Sequence, residues 1–190
     1  MTTIAKPCYF EIMNEEEQAA FHNLNIKKEL GFDELLNEIV FYIKSQPEKK
    51  YEISVGTDSA AEKNVRLVTA ISILRKGNGG RYFWTKSKAI FCPTLQDRIY
   101  KETMQSITFM QELKSRLKDE LGEEFFWPVR NATQTVAGGD NKISVHIDVG
   151  RKGPTRDLID QVVGMVKGFG FEAVIKPDSF GAFVVADRHT

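Results

Sequence analysis

The stretch ISVGTD at residues 53–58 returns as ISVHID at residues 143–148. Each copy alternates apolar with small or polar residues, the period-two pattern of a half-buried strand, and each ends on an aspartate. Ile53, Val55 and Thr57 oppose Ser54, Gly56 and Asp58; Ile143, Val145, Ile147 and Val149 oppose Ser144, His146 and Asp148. The surroundings differ, because the first copy runs into a hairpin and the second into a helix. The repeat is therefore local and not a duplicated supersecondary unit. If the two strands are parallel neighbours in the middle of one sheet, both aspartates stand at carboxyl ends, where open α/β sheets place their ligands.

The flanking segments specify that sheet. Leu35, Leu36, Ile39, Val40 and Ile43 recur at helical spacing, with Asp33 near the start and Pro47 after the end. After YEISVGTD come a second strand, VRLVTAISIL (65–74), and a third, RYFWTKSKAIF (81–91), joined by the turn sequence KGNGG. Beyond Pro93 the period lengthens, and Leu95, Ile99, Ile107, Met110, Leu113, Leu117 and Leu121 form one stripe of a long helix. Residues 122–142 read as a loop, ISVHIDVG as the fourth strand, and GPTRDLIDQVVGMVKGFG as a helix with Pro154 at its first position and Gly168 or Gly170 at its end. FEAVIKP gives a fifth strand, and DSFGAFVVADRHT a short closing helix capped by Asp178 or Ser179. Strands separated by helices require parallel crossovers, whereas the first three form a meander, so the sheet is mixed.

At 190 residues the chain suits one domain, read as residues 32–190 behind an N-terminal extension, 1–31, that has no sustained period. Hydrophobic content of 42% and charged content of 27% argue against disorder, and no apolar run is long enough to span a bilayer. Two cysteines without metal-type spacing and no readable export signal point to the cytoplasm. The formal net charge of zero gives no global support to nucleic-acid binding.

Two carboxylates at neighbouring strand ends repel each other strongly in a desolvated cleft unless a cation lies between them. Two further acids can join Asp58 and Asp148. Glu102 sits on the flank of the apolar stripe of the long helix, from which it can reach over the sheet; Asp187 follows the small Ala186 in the apolar end FVVADRHT. An all-oxygen set of this kind suits magnesium or manganese rather than zinc. Each acid also has an ordinary structural reading. Asp58 fits a turn, Glu102 could pair with Arg98 four residues earlier, and Asp187 could pair with Arg188, with Asp178 as a competitor for its role.

VGTDS, the glutamate after the third strand, HIDVG, and KPDS followed by ADRHT resemble, over about residues 32–190, the ribonuclease H-like superfamily, and within it the YkuK-like family. The resemblance implies a five-stranded mixed sheet ordered 3-2-1-4-5 with helices on both faces. It also implies a two-metal phosphodiesterase site at Asp58, Glu102, Asp148 and Asp187, holding Mg²⁺ or Mn²⁺ and acting on nucleic acid. The alternative function is a non-catalytic module of the same fold that binds nucleic acid or protein.

Three other features remain open between function and structure. GRKGPTR (150–156) offers Arg151, Lys152, Thr155 and Arg156 near a helix start, as a phosphate-binding loop or as an ordinary connection. Tyr82, Trp84, Lys86 and Lys88 share a face of the third strand, as a stacking surface for a single strand or as an edge guarded by lysines. His146 shares the pleat parity of Asp148, as a proton shuttle or as a satisfied sheet histidine, and His189 reads equally as a site residue or as solvated tail.

Overall fold

The expected first helix forms as α1 (Phe32–Lys44) in the computed structural model, with Phe32, Leu35, Leu36, Ile39, Val40 and Ile43 buried along one stripe. Its first turn is fixed from within, since Glu34 Oε2 accepts the Gly31 N–H at 3.0 Å. The structure describes residues 20–126, 141–179 and 186–189, without the side chains of Lys27 and Asp187.

The meander forms as β3 (Tyr51–Asp58), β4 (Asn64–Arg75) and β5 (Gly80–Phe91). The turn between β4 and β5 places Gly77 and Gly79 at φ of 80° and 74°, a region that side-chain-bearing residues rarely adopt. Two short strands precede α1, β1 (Phe21–Asn23) and β2 (Ile26–Leu30), and after α2 (Leu95–Leu121) come β6 (Lys142–Ile147), α3 (Ile159–Gly168) and β7 (Glu172–Ile175). The sheet order is β2-β1-β5-β4-β3-β6-β7. Its last five members reproduce the expected 3-2-1-4-5 arrangement, and the hairpin β1-β2 extends it to seven strands. His22 of β1 pairs antiparallel with Trp84 of β5, covering what would otherwise be an open edge. Strands this short carry too few alternations to register as a sequence period.

Among the described residues the three α-helices lie on one face of the sheet. All three bury their stripes in one cluster with Ile53, Val55, Ile71, Ile73, Val145 and Ile147, which share one pleat parity. Among the described residues, the opposite face is covered by the C-terminal turn, where Ala186 packs on Val68 and Ala70. Long α2 is the central prop. Ile99, Ile107, Met110, Leu113 and Leu117 lie against the sheet, and Thr94 accepts the Asp97 N–H as its N-cap.

The helix expected from Pro154 begins later. Gly153 at φ 92° turns the chain, a 3-10 turn follows at Arg156–Leu158, and α3 starts at Ile159. Most of the anticipated closing helix lies outside the described residues; Asp187–His189 form a 3-10 turn.

Leu113 is fully buried at the α2–sheet contact. Leu113→Ala should cost about 2–5 kcal/mol, the usual range for a cavity of this size, read from urea unfolding of both proteins. A loss below about 1 kcal/mol would mean that α2 does not hold the core together.

Candidate active site

Strands β3 and β6 run parallel with Ile53 opposite Ile143, Ser54 opposite Ser144, Val55 opposite Val145 and Gly56 opposite His146. The repeated sequence is thus paired with itself, residue for residue. The strand pairing ends there, and the same register carried two places on directs Asp58 and Asp148 to the same carboxyl edge of the sheet. The third acid arrives from α2. Glu102 is only 4% exposed, between the buried Ile99, Thr103 and Ser106, deeper than the flank position that its helical angle suggested. The helix is fastened to the strand at this level, where the Ser106 hydroxyl bridges Thr57 Oγ1 (2.9 Å) and the Glu102 carbonyl (3.0 Å). Thr57 Oγ1 lies in turn 3.0 Å from Thr69 Oγ1 of β4.

Burial, before anything else, raises the Glu102 carboxyl from its ordinary 4.5 to about 8, and the negative charges of Asp58 and Asp148 push in the same direction. Two contacts oppose this. Ser59 Oγ donates to Glu102 Oε1 at 2.6 Å, and Arg98 Nε lies 3.9 Å from the same oxygen, too far for a hydrogen bond. The anticipated Arg98–Glu102 pairing exists but is weak, and Arg98 Nη1 donates instead to the Ala60 carbonyl. Asp148 has a cation of its own, with Lys176 Nζ 2.6 Å from Oδ1. The contact is electrostatic rather than an aligned hydrogen bond, since Oδ1 accepts no bond of acceptable geometry. Sequence reasoning missed Ser59 and Lys176 as partners of the acids. Ser59 was visible as the residue after Asp58, but Lys176 meets Asp148 only through the pairing of Ile147 with Ile175.

The remaining expected residues are placed as follows. Asp187 opens the C-terminal turn, and its side chain lies outside the described part. Asp178 is exposed in a turn, its N–H donating to the Ile175 carbonyl, and does not belong to the acid group. Arg151, Lys152 and Arg156 are exposed on the loop after Asp148, while the Thr155 hydroxyl accepts the Gly150 N–H at 3.3 Å and shapes that loop. The N–H groups of Arg156 and Leu158 are used within the loop, donating to the Gly153 and Thr155 carbonyls, so the helix-start argument for phosphate does not apply here. Burial lowers His146 to about 4, which leaves it neutral at pH 7 and unsuited to shuttling protons there. His189 is not solvated tail. Its ring stacks on Trp84 with centroids 3.9 Å apart, so Trp84 is already covered on one face.

A family model described as Ribonuclease H-like matches residues 34–190. The chain belongs to the ribonuclease H-like family. It is also 31% identical over 173 residues to the uncharacterized protein YkuK of Bacillus subtilis (strain 168), covering 90% of this chain and 96% of that relative. No solved structure matches it. Among the described residues no helix is long and apolar enough to cross a membrane.

For a ribonuclease H-like chain the question is whether these residues suit a divalent metal ion. Among the described residues no three His, Cys, Asp or Glu side chains gather closely enough to hold one between them. Asp58, Glu102 and Asp148 are all hard oxygen donors, and the charges of Asp58 and Asp148 add to the burial that raises the Glu102 carboxyl. Ser59 and Lys176 engage two of those carboxylates at present.

The Glu102 shift has a definite sign. Native protein keeps a proton that the unfolded chain releases, so this contribution to stability is fully present below about pH 4.5 and is lost as pH rises toward about 8. In metal-free buffer, the melting temperature of the wild type should fall relative to Glu102→Gln across that window. Parallel melting curves for the two proteins at all pH values would show that Glu102 titrates normally.

Proposed function

We propose that this chain is a divalent-metal-dependent nuclease that hydrolyses phosphodiester bonds of nucleic acid. What supports the reading is that β3, α2 and the end of β6 direct Asp58, Glu102 and Asp148 toward one sheet edge, where the charges of Asp58 and Asp148 act on Glu102. Asp58 and Asp148 would hold Mg²⁺ or Mn²⁺, Glu102 would hold one ion and orient water, and Asp187 would complete the second position of a two-metal site. Bound there, the ions would supply hydroxide at neutral pH and stabilise the leaving oxygen. The protein's own contribution is alignment. Ser59 fixes the Glu102 carboxylate, Thr57 and Ser106 fix α2 against β3, and the in-register strands fix the spacing of the aspartates.

Substrate is gripped beside the acids by Arg151, Lys152 and Arg156, three exposed cations on the loop that leaves Asp148, with Thr155 setting the loop's shape. Burial lowers the His146 pKa to about 4, so the imidazole stays uncharged near pH 7 and adds no positive charge beside the acids.

A second reading has its own support. Asp148 already has Lys176, and Glu102 already has Ser59, as expected of a non-catalytic module that keeps the fold and binds nucleic acid or protein without cutting it. The two readings separate on one assay. Asp58→Asn and Asp148→Asn should each lower Mn²⁺-dependent cleavage of single-stranded and duplex nucleic acid by orders of magnitude; full activity in both would remove the nuclease assignment.

The loop gives a distinct outcome. Replacing Arg151, Lys152 and Arg156 together by Ala should raise KM and flatten its dependence on salt, leaving kcat within a small factor. A loss confined to kcat would place the loop outside the substrate path.

A further inference from the structure

Four aromatic rings gather on the sheet face opposite the helices. Tyr82 and Trp84 stand on either side of Phe83 in β5, and because Phe83 is buried in the core under the helices, its two neighbours point the other way. Antiparallel pairing brings His22 of β1 against Trp84, with ring centroids 5.5 Å apart. From the C-terminal turn, His189 lies parallel to the Trp84 indole, 3.9 Å away with 4° between the planes. Tyr82 completes the group at 5.7 Å from Trp84 and 6.5 Å from His189. All four residues are half-buried, so this ladder of rings ends at the surface and not in a core.

The border of the ladder is basic. Lys86, the next residue of β5 on this face, and Arg188 of the C-terminal turn are exposed, and both lie close enough to the His189 ring for their charges to act on it. Lys86 pairs with Val68 and Ala89 with Arg66, so the exposed Arg66 shares the face, and Arg66 and Lys86 line one groove with Asn64 and Ala89. Among the described residues, Glu62 is the one carboxylate that lines it. The same register shift turns Lys88 to the other face, away from the rings.

We infer that this face of β5 docks single-stranded nucleic acid, with unpaired bases extending the Tyr82–Trp84–His189 stack and Arg66, Lys86 and Arg188 meeting the phosphates. Rings and cations select the occupant together. A flat ring offers its π face to any base, which makes such docking tolerant of sequence. In a duplex each base face is already stacked on its neighbour, so a duplex reaches the cations but not the rings. An acidic peptide matches the charge and brings no planar bases. With a formal net charge of zero over the whole chain, the cluster is a local excess of positive charge and not part of a generally basic surface. The inference does not rest on the metal-dependent reading, since it concerns binding alone, at a strand two places from the one that carries Asp58.

The test is fluorescence anisotropy of the full chain in EDTA, so that nothing is cut, with labelled single strands of about 12 nucleotides and mixed sequence, as DNA and as RNA. Single strands should bind, and the tighter of the two names the preferred chemistry. The DNA duplex of the same sequence and labelled polyglutamate should bind about tenfold or more weakly. Tyr82→Leu should weaken single-strand binding about fivefold or more, the loss of one stacked base, whereas Tyr82→Phe should stay within about twofold of wild type. Lys86→Gln should weaken binding and lower the slope of log affinity on log salt by about 0.7, as expected for one phosphate contact. Should Tyr82→Leu fail to fold by circular dichroism, His189→Ala takes its place with the same expectation, and His189→Phe serves as the variant that keeps the ring. Duplex or polyglutamate bound as tightly as the single strand, unchanged affinity in the folded ring-removal variant, or no binding of either strand at about 100 μM protein would overturn the inference. None of these outcomes bears on Mn²⁺-dependent cleavage, which the Asp58 and Asp148 variants decide.

Discussion

The structure depends on the parallel pairing of β3 with β6 in a single register. Side chains alternate between the faces of a strand, so a slip of β6 by one residue would turn Val145 and Ile147 away from the helices and set Ser144 and His146 beneath them. The apolar cluster under α2 forbids that slip. Once the register is fixed, two aspartates distant in sequence must stand together, whatever the cost of their repulsion. Core packing thus imposes the electrostatic problem that the carboxyl edge has to solve.

The protein solves it in several partial ways. Glu102 holds a proton up to about pH 8, removing one negative charge from the group under neutral conditions. Lys176 compensates Asp148, and Arg98 stands at 3.9 Å from Glu102, close enough to moderate its charge but not to fix it. None of these is the closed, fully hydrogen-bonded network that would accompany a purely structural buried ion pair.

How much of this was legible depended on whether the signal was local. The meander, α1 and α2 could be read from period alone, since each places at least four apolar residues in phase. The pairing of the two similar strands could be read because they are alike, and with it the edge toward which Asp58 and Asp148 run. Glu102 was legible as a candidate from its helical angle, but its depth of burial was not, because depth depends on how closely α2 approaches β3 through Ser106 and Thr57. The hairpin β1-β2 escaped notice because Phe21–Asn23 and Ile26–Leu30 are too short to establish an alternation. The late start of α3 escaped for a different reason. Pro154 is chemically suited to a first helical position, but the left-handed turn at Gly153 and the Thr155–Gly150 contact hold the chain in a tighter loop there. Lys176 carried no local signal at all, as its role arises from the register of β7.

Pleat parity adds one more constraint on how the edge can work. Asp58 and Asp148 share parity with Ser54, Ser144 and His146, on the face away from the helices, whereas Glu102 comes from α2 on the other face. The two faces thus separate the aspartates from Glu102, and the end of the strands is where the three come nearest. The face behind the aspartates is closed by buried small and polar side chains, with Ser54, Ser72, Ser144 and His146 each at 4% exposure or less, and farther along by the C-terminal turn on Val68 and Ala70. The face behind Glu102 is closed by the core. What stays open is the end of the strands, beside the loop whose Arg151, Lys152 and Arg156 are exposed, so the carboxyl edge carries cations on its outer side and carboxylates further in.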